Sequence, residues 1–303
     1  DAIAGNYGAN PEKALADLEK RWSEFVKLPP TPVHEPVFVH FFSEPGGLGT
    51  HGTLPEFYGE AEAPDPAREK TFSNFHAAAL ASAKIAKRYQ PNVKILLPWG
   101  DPCFAIPFLK KGDELTRLLD GTAIDIGFFD RLPEQQMHQC AIHRMHQFMS
   151  VWNKNKKQAP VMPTVEGPCF SPIMPGGLDR MQHADYVVRA ALTLAAYGVN
   201  RQFSIGNVAG SSDYWGEQHY GGGLMSRLPE LNPHPSLSAV ATMIRQLRHM
   251  QFVKWLPTGS QSVFCLQFQD ARNGDTLYVL WTIRGTREVT LSFDGQRRGE
   301  LVD

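Results

Sequence analysis

Residues 93–99 read VKILLPW, and Gly100 and Asp101 follow. A strand with one wet face alternates apolar and polar side chains. A near-continuous apolar run of this length is expected of a strand covered on both faces, as in a parallel sheet flanked by helices. The flanking segments fit that arrangement. AREKTFSNFHAAALASAKIAKRY (67–89) has helical texture and is stopped by Pro91 and Asn92. Residues 105–119 read as helical again. A doubly covered strand between two helices makes this an α/β chain.

The pattern continues in both directions. NPEKALADLEKRWSEFVKL (10–28) is an amphipathic helix, with Asn10 as N-cap, Pro11 in the first turn, and Leu15, Leu18, Trp22, Phe25 and Val26 on one face. PPTPVHEP is a stiff linker into a strand over 37–42. Further strands are expected over AIDIGFF (123–129), APVMPTVE (159–166) and VNRQFSIGN (199–207). The intervening helices are expected over 133–154 and over 183–198, closed by Gly198, and a last helix over 235–252. Met137, Met145, Phe148 and Trp152 read as core facing the sheet. Strand and helix repeated at this spacing imply right-handed crossovers and a parallel sheet. Each strand runs into a loop rich in Gly, Pro, Trp or a carboxylate, like the loop face of a TIM-type barrel. An open doubly wound sheet is the alternative, but no strand is followed by a dinucleotide-type glycine turn.

After Trp255 the texture changes. SVFCLQFQ and TLYVLWTIR are strands joined by DARNGD, and REVTLSFDG reads as a third. The expected division is a barrel portion over 1–254 and an antiparallel β appendage over 255–303, stopping unfinished at Asp303.

Composition narrows the function. The chain has 303 residues, 42% hydrophobic and 20% charged, with a formal net charge of −1. It is globular, and the charge gives no argument for nucleic acid or a membrane surface. No window approaches the apolar length of a membrane span. The opening DAIAGNYGANPEK has no signal-peptide pattern and no Met, as expected of a mature product or an excised piece. Cys103, Cys140, Cys169 and Cys265 are far apart without CxxC spacing, so neither a disulfide framework nor a structural zinc site is expected. His138, Cys140, His143 and His146 suggest a metal, but only His143 and His146 share a helix face and no carboxylate completes a site. No metal and no cofactor are expected.

Two strand ends carry the chemistry. VFVHFFSEPGG (37–47) ends on Glu44 and breaks at Pro45, and PTVEGP (163–168) ends on Glu166 and breaks at Gly167-Pro168. Read singly, each is the first solvated residue after a strand. In one parallel sheet both ends point to one face, and two facing carboxylates are what glycosidic cleavage needs: one protonated to donate to the leaving oxygen, one ionised to attack or to activate water. Burial and mutual repulsion push the two pKa values apart.

On these residues the chain resembles the retaining glycoside hydrolases of clan A, (β/α)8 enzymes with catalytic glutamates at the ends of strands four and seven. Ser43-Glu44-Pro45 resembles the Asn-Glu-Pro of strand four, and Thr164-Val165-Glu166-Gly167 resembles the end of strand seven. The resemblance implies Glu44 as acid/base, Glu166 as nucleophile, a carbohydrate substrate, and a C-terminal β domain such as several of these families carry. Ser43 stands where the clan has the asparagine that bonds the sugar's 2-hydroxyl. If 37–42 is strand four, strands one to three are missing, and the five remaining strands are expected to leave the chain aggregation-prone alone.

Substrate contacts are expected from His40, Ser43, Trp99, Asp101 and Asp130, and from Trp215, His219 and Tyr220 in GSSDYWGEQHYGGG (210–223). Bland readings stand beside them: core for Trp99, helix capping for Asp101, helix entry for Asp130. A catalytically inactive, carbohydrate-binding relic of such a barrel is the alternative to an enzyme. The compartment is open, with an extracellular or periplasmic one preferred to the cytoplasm. The oligomeric state is not legible.

Overall fold

The computed structural model describes residues 10–26, 38–40, 66–100, 102–124, 127–129, 132–134, 141–164, 169–170, 179–199, 201–202, 223–226, 231–290, 292 and 299–302. The chain divides into two compact units, Asp1–Arg248 and His249–Asp303.

The first unit is α/β. Five strands, β1 (Phe38–His40), β2 (Lys94–Gly100), β3 (Gly121–Ile124), β5 (Pro163–Thr164) and β7 (Arg201–Gln202), form one sheet in chain order. Every pairing is parallel. A doubly wound sheet reverses its order at a switch point, and no reversal occurs among these strands. A second, two-stranded parallel ladder joins β4 (Gly127–Phe129) to β6 (Cys169–Phe170). AIDIGFF is thus two strands and not one.

Helices cover the sheet. α1 (Pro11–Phe25) starts as expected: the Asn10 side chain accepts from Lys13 N–H at 3.0 Å, with Pro in the first turn. Its buried face is Ala14, Leu18 and Trp22, whereas Phe25 and Val26 are exposed. α2 (Pro66–Tyr89) buries Ala78, Ala79, Ala83 and Ala86. These methyl-sized residues let the helix approach Val93, Ile95 and Leu97 of the β2 segment in one shared core. Leu96 points to the other face and is also buried, as the VKILLPW run requires.

The helix expected over 105–119 is broken. A 3₁₀ turn (Pro102–Ala105) leads into α3 (Ile106–Lys110) and then α4 (Glu114–Leu118). Gly112 takes φ +61°, and Asp113 restarts the helix by accepting from Thr116 N–H at 3.2 Å. α5 (Ala141–Asn155) buries Met145, Phe148 and Trp152, with the indole N–H donating to Gln158 O at 2.7 Å. Pro133 and Glu134, read as the start of that helix, lie in a turn. α6 (Arg180–Ala196) has a capping box from Asp179 and Gln182, and α7 (Pro235–Leu247) packs on it.

The second unit is an antiparallel sheet, β8 (Met250–Trp255), β9 (Val263–Asp270) and β10 (Thr276–Thr282), in the order β10-β9-β8. Two expectations are corrected here. The last helix stops at Leu247, because MQFVKW pairs with β9; this strand, placed ahead of the 254/255 boundary by sequence, is the first of the unit. The third strand of the described sheet is therefore β8; of REVTLSFDG (287–295), residues 287–290 and 292 form no strand and the others lie outside the described residues. Thr282 Oγ1 accepts from Arg284 N–H at 3.3 Å and Gly285 takes φ +61°, which turns the chain out of the sheet. Phe252, Trp255, Phe264, Phe268 and Trp281 form a connected aromatic row, with Phe264 and Trp281 stacked at 5.5 Å. The DARNGD turn closes with Gly274 at φ +79° and Asp270 N–H bonded to Asp275 O.

Candidate active site

In an all-parallel sheet every strand presents the same end to the same edge. Gly100 is level with Ile124, Ile124 with Thr164, and Thr164 with Gln202. On the other side His40 is level with Leu96, four residues short of Gly100 in the chain. Glu44 comes four residues after His40 and Glu166 two residues after Thr164. Both glutamates therefore follow C-terminal ends of strands that are first and fourth across one sheet.

Glu44 and Glu166 themselves lie outside the described residues, as do Ser43, Asp101, Asp130, Trp215, His219 and Tyr220. Two of the expected site residues are placed. Trp99 is within β2, paired with Ala123, one residue before the strand ends. His40 closes β1 and is exposed. The protein mass around it nonetheless holds its pKa below the usual 6.5, burial being the larger cause. A neutral imidazole at pH 7 both donates and accepts.

Two strands of this edge, β3 and β5, are each followed closely by a further strand. Residues 125–126 join β3 to β4, and residues 165–168 join β5 to β6. The partners re-pair beyond these joints, Gly127 with Cys169 and Phe129 with Phe170. The longer joint is the one that contains Glu166.

The chain that follows β4 carries a feature that sequence reading missed. Glu134, with its side chain fully buried, receives both arms of Arg189: Nε to Oε1 at 2.7 Å and Nη2 to Oε2 at 2.6 Å. The guanidinium also lies over the Tyr186 ring at 4.8 Å. Burial pushes the Tyr186 phenol above its usual pKa of 10.0. The signal was present: Arg189 is a lone cation in YVVRAALTLAA, and an arginine among apolar helix residues asks for a buried carboxylate.

Among the described residues no group of three or more His, Cys, Asp or Glu gathers as a metal site. Cys103 and Cys265 are both buried and form no disulfide with each other. No helix among the described residues is long and apolar enough to cross a membrane.

No protein-family profile matches the chain, and no curated protein matches it in sequence. Solved structures do match. One is a family 39 glycoside hydrolase from the gut symbiont Bacteroides cellulosilyticus WH2, at 19% identity and a TM-score of 0.52, over 69% of this chain and 44% of that one. Another is a glucosidase from Croceicoccus marinus, at 12% identity and a TM-score of 0.49, over 84% of this chain and 53% of that one. The chain thus spans about half the length of these neighbours. The likeness to the family 39 hydrolase shows a shared α/β fold.

Proposed function

We propose that the chain is part of a retaining glycoside hydrolase of the (β/α)8 type, with Glu166 as nucleophile and Glu44 as acid/base. The observation that carries this is the strand order: two glutamates follow the first and fourth of five consecutive parallel strands, at one edge. Strands are spaced about 4.8 Å apart, so three steps separate the strand axes by about 14 Å in a flat sheet and less in a curved one. Two glutamates reaching inward across that span leave room for one sugar ring. An extended continuation of β1 would bring Glu44 level with Gly100, the same height as Thr164. The shared fold with a family 39 glycoside hydrolase supports the same reading.

In this mechanism Glu166 attacks the anomeric carbon while Glu44 gives its proton to the leaving oxygen. Glu44 then takes a proton from water, which releases the sugar from Glu166. Repulsion between the carboxylates keeps one protonated at the pH where the other is ionised. His40, Ser43, Trp99, Asp101, Asp130, Trp215, His219 and Tyr220 are the proposed substrate contacts, with the aromatic rings stacking on apolar sugar faces. Neither a cofactor nor a metal takes part in these steps. The proposed compartment is extracellular or periplasmic.

The test is a crystal structure with both carboxylates resolved, together with Glu166→Ala and Glu44→Gln assayed on aryl glycosides. A carboxyl separation of about 5–5.5 Å and loss of turnover in both variants are expected; about 6.5–9.5 Å would mean inversion. Carboxylates at opposite edges, or near-normal turnover in either variant, would end the assignment. Ser43, in the place of the clan's asparagine, favours one second reading: a barrel that binds oligosaccharide without cleaving it. Binding without product release would establish that reading.

A further inference from the structure

We propose that the buried Glu134–Arg189 pair is a positioning device that holds the β4–β6 ladder, and through it the Glu166 side of the crevice; the second half of this rests on the reading of Glu166 as nucleophile. The ladder is very short, residues 127–129 against 169–170, with a register shift inside it. Two strands of that length do not hold each other in water. Something else must fix their position, and the ion pair joins the chain that follows β4 to the helix that packs on β6. Glu134 comes from the chain just after β4, and five residues from Phe129 reach at most about 17 Å. Arg189 comes from α6, which packs directly against β6. The pair therefore links the two partners of the ladder from the helix side. At the other end of β6, Glu166 precedes Cys169 by three residues, a reach of about 10 Å at most. Displacing the ladder displaces the segment that carries the nucleophile.

Stability alone is a poor reason for this pair. A buried ion pair is often no better than apolar side chains of the same volume, and the attested use of one is to specify an arrangement. The bidentate fork sets both distance and direction, which a single ammonium contact does not. Tyr186, stacked under the guanidinium, fixes its plane.

The test uses the whole chain with the double substitution Glu134→Leu/Arg189→Met. Three quantities are compared with the parent chain: melting temperature, amide hydrogen exchange by peptide, and kcat and KM on a panel of 4-nitrophenyl glycosides. The expected melting temperature is unchanged within about 3 °C. Exchange is expected to rise about tenfold or more in peptides covering 127–134 and 165–172, and to stay unchanged over 72–97. The expected kcat falls about 100-fold with KM within threefold, as for a misplaced reacting group. Should the double variant fail to fold, Arg189→Lys keeps the charge but loses the fork, and the same exchange pattern is expected at smaller size. Unchanged exchange over 165–172 in a folded variant would overturn the proposal. If the parent chain cleaves no glycoside, the nucleophile reading falls, while the exchange result still decides whether the pair holds the ladder.

Discussion

The two edges of the parallel sheet are built on different principles. At the N-terminal edge the described residues around Asp120 are tied together. Asp120, just ahead of β3, accepts from Lys94 Nζ at 3.1 Å, from Ile95 N–H at 3.0 Å and from Lys87 Nζ at 3.4 Å. Its own N–H donates to Ile95 O, and its carbonyl accepts from Val161 N–H. Lys156 reaches across to the carbonyls of Thr116 and Arg117, the open end of α4. Asp120 thus ties the β2 segment and α2 together, and Lys156 closes the end of α4 beside it. At the C-terminal edge β2, β3, β5 and β7 stop level with one another, and Glu44 and Glu166 come in the chain after the ends of β1 and β5. In barrel enzymes the first edge holds the scaffold and the second does the chemistry. Substitutions at one should cost stability and at the other turnover.

The largest expected effect is at the C-terminal edge. Glu166→Ala should lower kcat by about 10⁴-fold or more, since it removes the proposed nucleophile, and leave the melting temperature within about 3 °C. Steady-state kinetics beside thermal melts decide it. A comparable loss of stability would erase the contrast between the edges.

Gly121→Ala should do the reverse. A Cβ built at Gly121 falls 1.7 Å from Val161 O and 2.6 Å from Val161 C, both backbone atoms. The Gly121–Val161 bridge holds β3 beside the β5 segment, so one strand must withdraw. A destabilisation of at least about 3 kcal/mol is expected, seen as a lowered denaturant midpoint or as insoluble protein. Wild-type stability would mean that this edge is less tightly packed than its hydrogen bonds imply.

Asp120→Ala is the next smaller step. It leaves the Ile95 N–H without its carboxylate and two lysines without their counter-charge, at a cost of about 2 kcal/mol. The group is only 18% exposed, so solvent replaces little of what is lost. Chemical denaturation measures it, and kcat on any cleaved glycoside should change less than threefold. A selective loss of kcat would show that the edges communicate.

These contrasts also explain what could be read in advance. In the first unit VKILLPW was legible as an apolar run and the first helix by its Asn10-Pro11 start, whereas the helix expected from residue 183 begins at Arg180 behind an Asp179 cap that the reading passed over. Parallel order followed from the spacing. The joints were not legible. Nothing in AIDIGFF marks that Gly127–Phe129 pairs in a different ladder from Gly121–Ile124, because its partner, Cys169–Phe170, is about forty residues away. The first half of MQFVKW, Met250–Phe252, was lost to the helix expected over 235–252 for the same reason: its pairing with β9 outweighs a pattern that suits either structure. Of the expected catalytic pair only the preceding strands are described: Glu44 and Glu166 follow β1 and β5 in the chain and themselves lie outside the described residues. A buried pair such as Glu134–Arg189 joins residues with no common local pattern.

The smallest expected effect concerns protons at the N-terminal edge. Burial lowers the pKa of Lys156 from its usual 10.5, and Lys87 lowers it further, while the charge of Asp120 works the other way. The sign follows. Just below pH 10.5 the unfolded chain keeps this proton and the folded chain has begun to lose it, so the unfolded state binds more protons and stability contributed by this group rises with pH. Below the folded pKa both states are protonated and that contribution is absent. Asp120→Asn removes the one influence that raises this pKa, so Lys156 should titrate lower still and the window should widen downward. Titration of the lysine side chains by NMR, in the parent and in Asp120→Asn, reads both shifts directly. If Lys156 titrates at its ordinary value in both, the ammonium is solvated rather than held, and the N-terminal edge loses one of the ties that set it apart from the other.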